Sequence, residues 1–141
     1  MTSVKTARSA AHSHWLWPFL LVLGSATLVV AWTSLALASG RQHGWMALLA
    51  GLQAAAMLRL GGMRPGWGRA LLAGAATLAV SAAVQWLIAS GHIGAQMGMA
   101  PWQAATRMGA GYVWTLSMLA NTRLDLACLA LAPLLALRAG R

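Results

Sequence analysis

The stretch from Trp15 to Ala38, WLWPFLLVLGSATLVVAWTSLALA, runs for 24 residues without a charged side chain. At about 1.5 Å of rise per residue, a helix of that length exceeds the roughly 30 Å hydrocarbon core of a bilayer. Trp15 and Trp17 stand at its start, where amphipathic rings favour the level of the lipid headgroups. A run like this has few folded forms open to it, and the spanning helix is the first of them.

Three further apolar runs follow. Trp45 to Leu60, WMALLAGLQAAAMLRL, is shorter and holds Gln53 and Arg59, the latter near its end, where a long side chain reaches an interface. The connector GGMRPGWGR, residues 61–69, carries the glycines and proline of a turn. Ala70 to Ser90 is a third span and Tyr112 to Leu137 a fourth. Residues 91–111 are too polar to span. Within them Pro101 suits a first helical turn, and Trp102, Ala105 and Met108 recur on one face, which predicts a short interfacial helix. The composition agrees: 60% of residues are hydrophobic and 8% charged, against about a quarter charged in soluble domains. The expected fold is an all-α membrane protein. Residues 1–14 form a disordered basic cytoplasmic tail, and residues 15–141 a single bundle of four transmembrane helices at about 15–38, 45–60, 70–90 and 112–137.

The first run has a rival reading. Lys5 and Arg8 precede an apolar stretch that ends in Ala36-Leu37-Ala38, the small-x-small pattern of a cleaved secretory signal. The run is longer than the usual signal core of about 7 to 15 residues, which favours a retained helix.

Ten basic residues face one acid, a net charge of +9. Such a balance suits nucleic acid only where the cations form a water-exposed face. Here they fall between apolar runs, which points to anionic lipid headgroups and not to nucleic acid. Lys5, Arg8, Arg59, Arg64, Arg69, Arg138 and Arg141 would lie on one side, and only Arg41 and Arg107 on the other. The positive-inside rule then puts both termini in the cytoplasm. Arginine outnumbers lysine nine to one amid abundant alanine and glycine, the imprint of a GC-rich genome, so the expected location is a bacterial inner membrane.

Asp125 is the sole acid. In an unbroken fourth helix it lies near the bilayer midplane, where insertion of an aspartate costs about 2.5 to 3.5 kcal/mol, and a residue held there at such a cost is a candidate for function. Arg123 points about 200° away around the helix and does not neutralise it. Asn121 shares its face with Trp114, Met118, Cys128 and Ala132 and is within reach of a hydrogen bond. Arg59 is the expected internal partner. Arg123 is left to meet lipid phosphate, carbonyls or another subunit. Asp125, Asn121, Arg123 and Arg59 therefore form the candidate intramembrane polar site. The competing reading makes Asn121 or Thr122 an N-cap and Asp125 a capping-box residue, which breaks the run near 121. On the third helix Ala70, Gly74, Thr77, Ser81 and Gln85 make a stripe of small and polar residues suited to close helix packing.

Catalytic signatures are missing. There is no Ser-His-acid set with acids to spare, no phosphate-binding glycine loop with its lysine, no HExxH and no paired carboxylates. The single Cys128 cannot form an intrachain disulfide. His43, Met46, His92, Met97, Met99 and Met108 gather toward one side, and His92, Met97 and Met99 offer a soft set for Cu(I) as an alternative reading; the main expectation is no metal and no cofactor. The layout is superficially that of small four-helix multidrug exporters, but the carboxylate they need in the first helix has no counterpart between Trp15 and Ala38, and no family is assigned. The expected role is a non-enzymatic accessory or scaffold subunit of a membrane complex, or a homo-oligomer, partnered by lipid and by another membrane subunit or itself. A small transporter or channel using Asp125 is the alternative. The charge asymmetry predicts that a periplasm-active reporter fused after Arg141 stays silent and one fused within 91–100 is active; the reverse pattern contradicts the orientation.

Overall fold

The computed structural model describes residues 16–141, so the expected basic tail and Trp15 lie outside the described residues. Six helices follow in order: α1 Leu16–Ser39, α2 Met46–Leu60, α3 Trp67–Met97, α4 Pro101–Arg107, α5 Ala110–Ala120 and α6 Arg123–Gly140, with no strand among the described residues. The fold is all-α. Two helices, α1 and α3, are long and apolar enough to cross a membrane, and a third crossing results if α5 and α6 count together. With 15 residues, α2 is shorter, about 22 Å at helical rise.

The third helix runs past its expected end at Ser90 to Met97. The polar stretch that ended the expected span stays helical to Met97, and Gly91 and Gly94 within it are positions of close approach. A Cβ on Gly91 would sit 2.7 Å from a Leu37 methyl, and one on Gly94 2.8 Å from the Met99 carbonyl oxygen. The helix stops at Gly98, whose left-handed conformation (φ 64°) suits glycine, with the Met99 N–H turned back onto the Gly94 carbonyl. The expected short helix follows as α4, opened by Pro101 at its first position. It packs on α3, burying Ala104 and accepting at its Ala105 carbonyl the indole N–H of Trp86.

The unbroken fourth helix is corrected. Asn121 and Thr122 both take extended backbone, and α5 and α6 meet at a bend of 119°. Asp125 thus lies in the first turn of α6 and not midway along a continuous helix.

Small side chains hold α6 against α2 and α3. Gly51 of α2 faces Ala132 and Ala136, Gly74 of α3 faces Leu137, and Gly140 faces Ala70. These pairings set α6 alongside α2 in the same direction and α3 in the opposite one. Ala54, Ala55, Ala73, Ala132 and Ala136 are buried where the three helices meet. Without bulky side chains the backbones approach closely, and dispersion over the whole contact supplies the attraction. α1 closes the other side with Trp32, fully buried, its indole N–H donating to the Gln42 carbonyl at 3.0 Å, and with Gly24, whose carbonyl accepts from Gln53 Nε2 at 2.7 Å.

A Cβ on Gly51 would lie 2.8 Å from the Ala132 carbonyl oxygen. Gly51→Val is therefore expected to lower thermal stability in detergent by about 1 to 3 kcal/mol, the usual cost of overpacking. Gly68→Ala in α3, where only the Met63 methyl comes near at 3.9 Å, should be neutral or stabilising by up to about 1 kcal/mol. Equal effects of the two would contradict this packing.

Candidate functional site

The start of α6 is built by a reciprocal cap. Thr122 Oγ1 accepts the Asp125 backbone N–H at 3.2 Å, while Asp125 Oδ2 accepts the Thr122 N–H at 3.1 Å and its hydroxyl at 2.7 Å. This satisfies donors that every helix start leaves orphaned and places a negative charge at the positive end of the helix dipole. The other carboxylate oxygen, Oδ1, accepts the Gly44 N–H at 2.8 Å, across 81 positions of sequence. Only glycine fits at 44, because a Cβ there would fall 2.6 Å from the Asp125 Cβ. Next to it His43 holds a positive φ of 47°, uncommon without a glycine, with Nε2 at 2.7 Å from Ser39 Oγ and its ring edge-on to Trp45. One carboxylate thus fastens the α1–α2 connection to α6.

Beside this cap opens a cleft of about 910 Å³ between the α1–α2 connection, α3, α5 and the head of α6, lined by Asp125, Gln85, Trp45, Tyr112, Ser117 and Cys128 among others. Two of its lining residues, Gln85 and Ser117, are linked through Asn121. Asn121 Nδ2 donates to the Ser117 carbonyl at 2.6 Å, and Gln85 Nε2 donates to Asn121 Oδ1 at 3.4 Å. Gln85 and Asn121 are each 8% exposed. Gln85 Oε1 is buried without a hydrogen-bond partner among the described residues.

The expected polar group is not one cluster. Asp125 lines the cleft and Asn121 does not; Asn121 bonds Gln85 and Ser117 and not Asp125. Arg59 is exposed in the last turn of α2, about 20 Å of helix away from the end beside Gly44. The expected Arg59–Asp125 pair is therefore replaced by bonds from Gly44 and Thr122. Arg123 is exposed as the first residue of α6. The face expected around Asp125 is divided by the bend: Trp114 and Met118 are exposed on α5, Cys128 is half-buried and Ala132 buried on α6. Ala70, Gly74, Thr77, Ser81 and Gln85 are all buried on α3. Of the soft set His92, Met97 and Met99, Met97 ends α3 and Met99 follows it across the left-handed Gly98. His92 lies on α3 with Nδ1 2.9 Å from the Ile88 carbonyl.

One residue that sequence reasoning passed over is Arg69. It is 8% exposed, and its guanidinium donates to the Gly140 carbonyl at 2.7 Å, the Arg141 carbonyl at 3.1 Å and the Met63 carbonyl at 3.3 Å. It closes the tail of α6 as Asp125 closes its head, with a cation at the negative end of the dipole. Arg141 adds a stack over Trp67 at 4.1 Å. The only hint in the sequence was an arginine directly ahead of an apolar helix.

No protein family, curated protein or solved structure matches the chain.

Asp125→Leu should remove the reciprocal cap and the Gly44 bond and reduce stability by about 0.5 to 2 kcal/mol, the usual cost of losing a helix cap. Asp125→Asn keeps one oxygen for Gly44 and should lose less. Thermal unfolding in detergent checks the order, and an unchanged Asp125→Leu protein would remove the cap from this role.

Proposed function

We propose that the chain is a multi-pass protein of a bacterial inner membrane, with α1, α2, α3 and α6 crossing in alternate directions, both termini cytoplasmic, and α4 and α5 at the outer interface. Its role is that of a non-enzymatic accessory or scaffold subunit, in a complex with another membrane protein or with copies of itself. In support of the orientation, Arg59 in the last turn of α2, Arg69 at the head of α3 and Arg138 in the last turn of α6 fall at one end of the packed helices with Arg64 and Arg141 beside them in sequence, against Arg41, Arg107 and Arg123 at the other.

The observation that carries the role is α5. This helix turns away from α6, buries only Val113, and leaves Tyr112, Trp114 and Leu119 exposed, the last at 83%. Exposed aromatic and aliphatic side chains on a helix with so little cover from its own chain suit a partner surface. The transporter reading has less support. Both oxygens of the one carboxylate hold the start of α6, and an ion or proton cycle at Asp125 would have to break the Gly44 and Thr122 bonds at every turn.

Extraction of native membranes in mild detergent should yield a stoichiometric complex or a defined homo-oligomer, and the pair Trp114→Ala with Leu119→Ala should release it while the protomer stays in the membrane. A monomer that moves protons or a solute in liposomes would overturn this in favour of the transporter.

A further inference from the structure

The end of the bundle where α2 and α6 finish and α3 begins collects cations with no acidic side chain among them. Arg59 lies in the last turn of α2, Arg64 in the connection to α3, Arg138 in the last turn of α6 and Arg141 directly after it, and all four are exposed. The buried Arg69 ties their backbones together. Its guanidinium donates to the Met63 carbonyl at 3.3 Å, next to Arg64, and to the Gly140 and Arg141 carbonyls at 2.7 and 3.1 Å. The sole acidic side chain of the protein, Asp125, stands in the first turn of α6, about 20 Å of helix from Arg138. Both its oxygens are taken by Gly44 and Thr122. With a screening length of about 8 to 10 Å in ordinary salt, a charge that far away does little for these arginines. No side chain of the protein balances them.

Two tryptophans mark the depth at which this end sits. Trp67, the first residue of α3, is 66% exposed, and Gly61 packs against the backbone of Trp17, which brings a second indole to the same end. Indoles at the ends of apolar helices favour the headgroup level of a bilayer, and arginines in the adjoining turns reach the phosphates there. The Arg141 guanidinium lies 4.1 Å over the Trp67 ring, while its own carbonyl is held by Arg69. A guanidinium stacked by its face keeps its N–H edge free, and that edge fits a phosphate with two parallel hydrogen bonds. An acidic segment of a soluble protein would suit the charge equally, but it would leave the exposed indole without an apolar neighbour.

We propose that this arginine end is a docking surface for anionic phospholipid of the surrounding leaflet, with the Arg141 guanidinium on Trp67 as the contact that takes a lipid phosphate. Arg69 is a positioning residue: it touches no lipid and fixes the tail that carries Arg141. The inference rests on the membrane placement proposed above and is independent of the assembly role.

The test uses the full chain purified in detergent, with retained lipid counted by native mass spectrometry. Dioleoyl phosphatidylglycerol and dioleoyl phosphatidylcholine are compared, since they share acyl chains and differ in net charge. The anionic lipid should bind about tenfold more tightly. Arg141→Gln should lower its retention about fivefold, the scale of one cation at an anionic surface. Arg41→Gln removes the same charge from the exposed α1–α2 connection at the other end and should leave retention unchanged. Both side chains are exposed, and the comparison of the two lipids on the unmodified protein stands even if a variant fails to fold. Equal retention of the two lipids overturns the inference, and so does an equal loss in the two variants, which would reduce the effect to net charge. An acidic protein that stays bound to this end through excess phosphatidylglycerol, and is released by Arg141→Gln, assigns the surface to a protein partner and overturns it as well. Recovery of the protein in the soluble fraction, without membrane extraction, overturns the membrane placement instead.

Discussion

The hydrogen bond from the Gly44 N–H to Asp125 Oδ1 decides where α6 begins, and most of the architecture depends on that beginning. Because the carboxylate also closes the Thr122 cap, the helix cannot start earlier, and Asn121 and Thr122 are left extended. The extended pair turns α5 away from α6. It also fixes the phase of α6, so that Ala132 and Ala136 face Gly51 and not a bulkier wall. A helix packed through alanine and glycine has little side-chain interlock to correct an error in register, so its two ends matter more than they would in a leucine-rich interface. Asp125 and Arg69 fix those ends with opposite charges, each matched to the dipole it meets.

What could be read from the chain followed the range of the signal. Long uncharged runs are a cumulative property, and α1 and α2 lie within a residue or so of the stretches Trp15–Ala38 and Trp45–Leu60. Pro101 marked α4 for a local reason, its fixed φ and missing N–H. The failures came where one residue type serves two physical ends. Glycine signals a turn when it takes a positive φ, as Gly98 does, and a close contact when it does not, as at Gly91 and Gly94; only the position of Leu37 and of the Met99 carbonyl tells them apart. Asp125 was similarly ambiguous between a midplane charge and a capping residue. The cap reading was available from Thr122 three residues earlier, while the Gly44 contact, from 81 positions away, had no local trace. Arg69 was unreadable for the same reason, since its carbonyl partners sit mainly at the far end of the chain.

The cleft shows how a break in a helix produces a polar recess in an apolar chain. In a continuous helix the amides of Gln85 and Asn121 would have to be satisfied at a helix–helix contact. With α5 turned aside, Asn121 caps the end of α5 through the Ser117 carbonyl and holds Gln85 in place, and the open side is left to aromatic and charged residues from three other segments. Such a recess is hard to infer from periodicity because its members come from α1–α2, α3, α5 and α6, and no two elements define it.

The helices differ in length, and their arrangement has a mechanical consequence. α1 has 24 residues and α3 31, while α6 has 18, or about 36, 46 and 27 Å at helical rise. α6 packs against α2 and α3, on the side away from α1. With the crossings proposed above, helices of about 36 and 46 Å stand beside helices of about 22 and 27 Å around a bilayer core of about 30 Å, so the long pair must tilt or reach into the headgroups while the short pair draws the leaflets together. Lipids with shorter chains would then gain beside the short helices and longer ones beside the long pair.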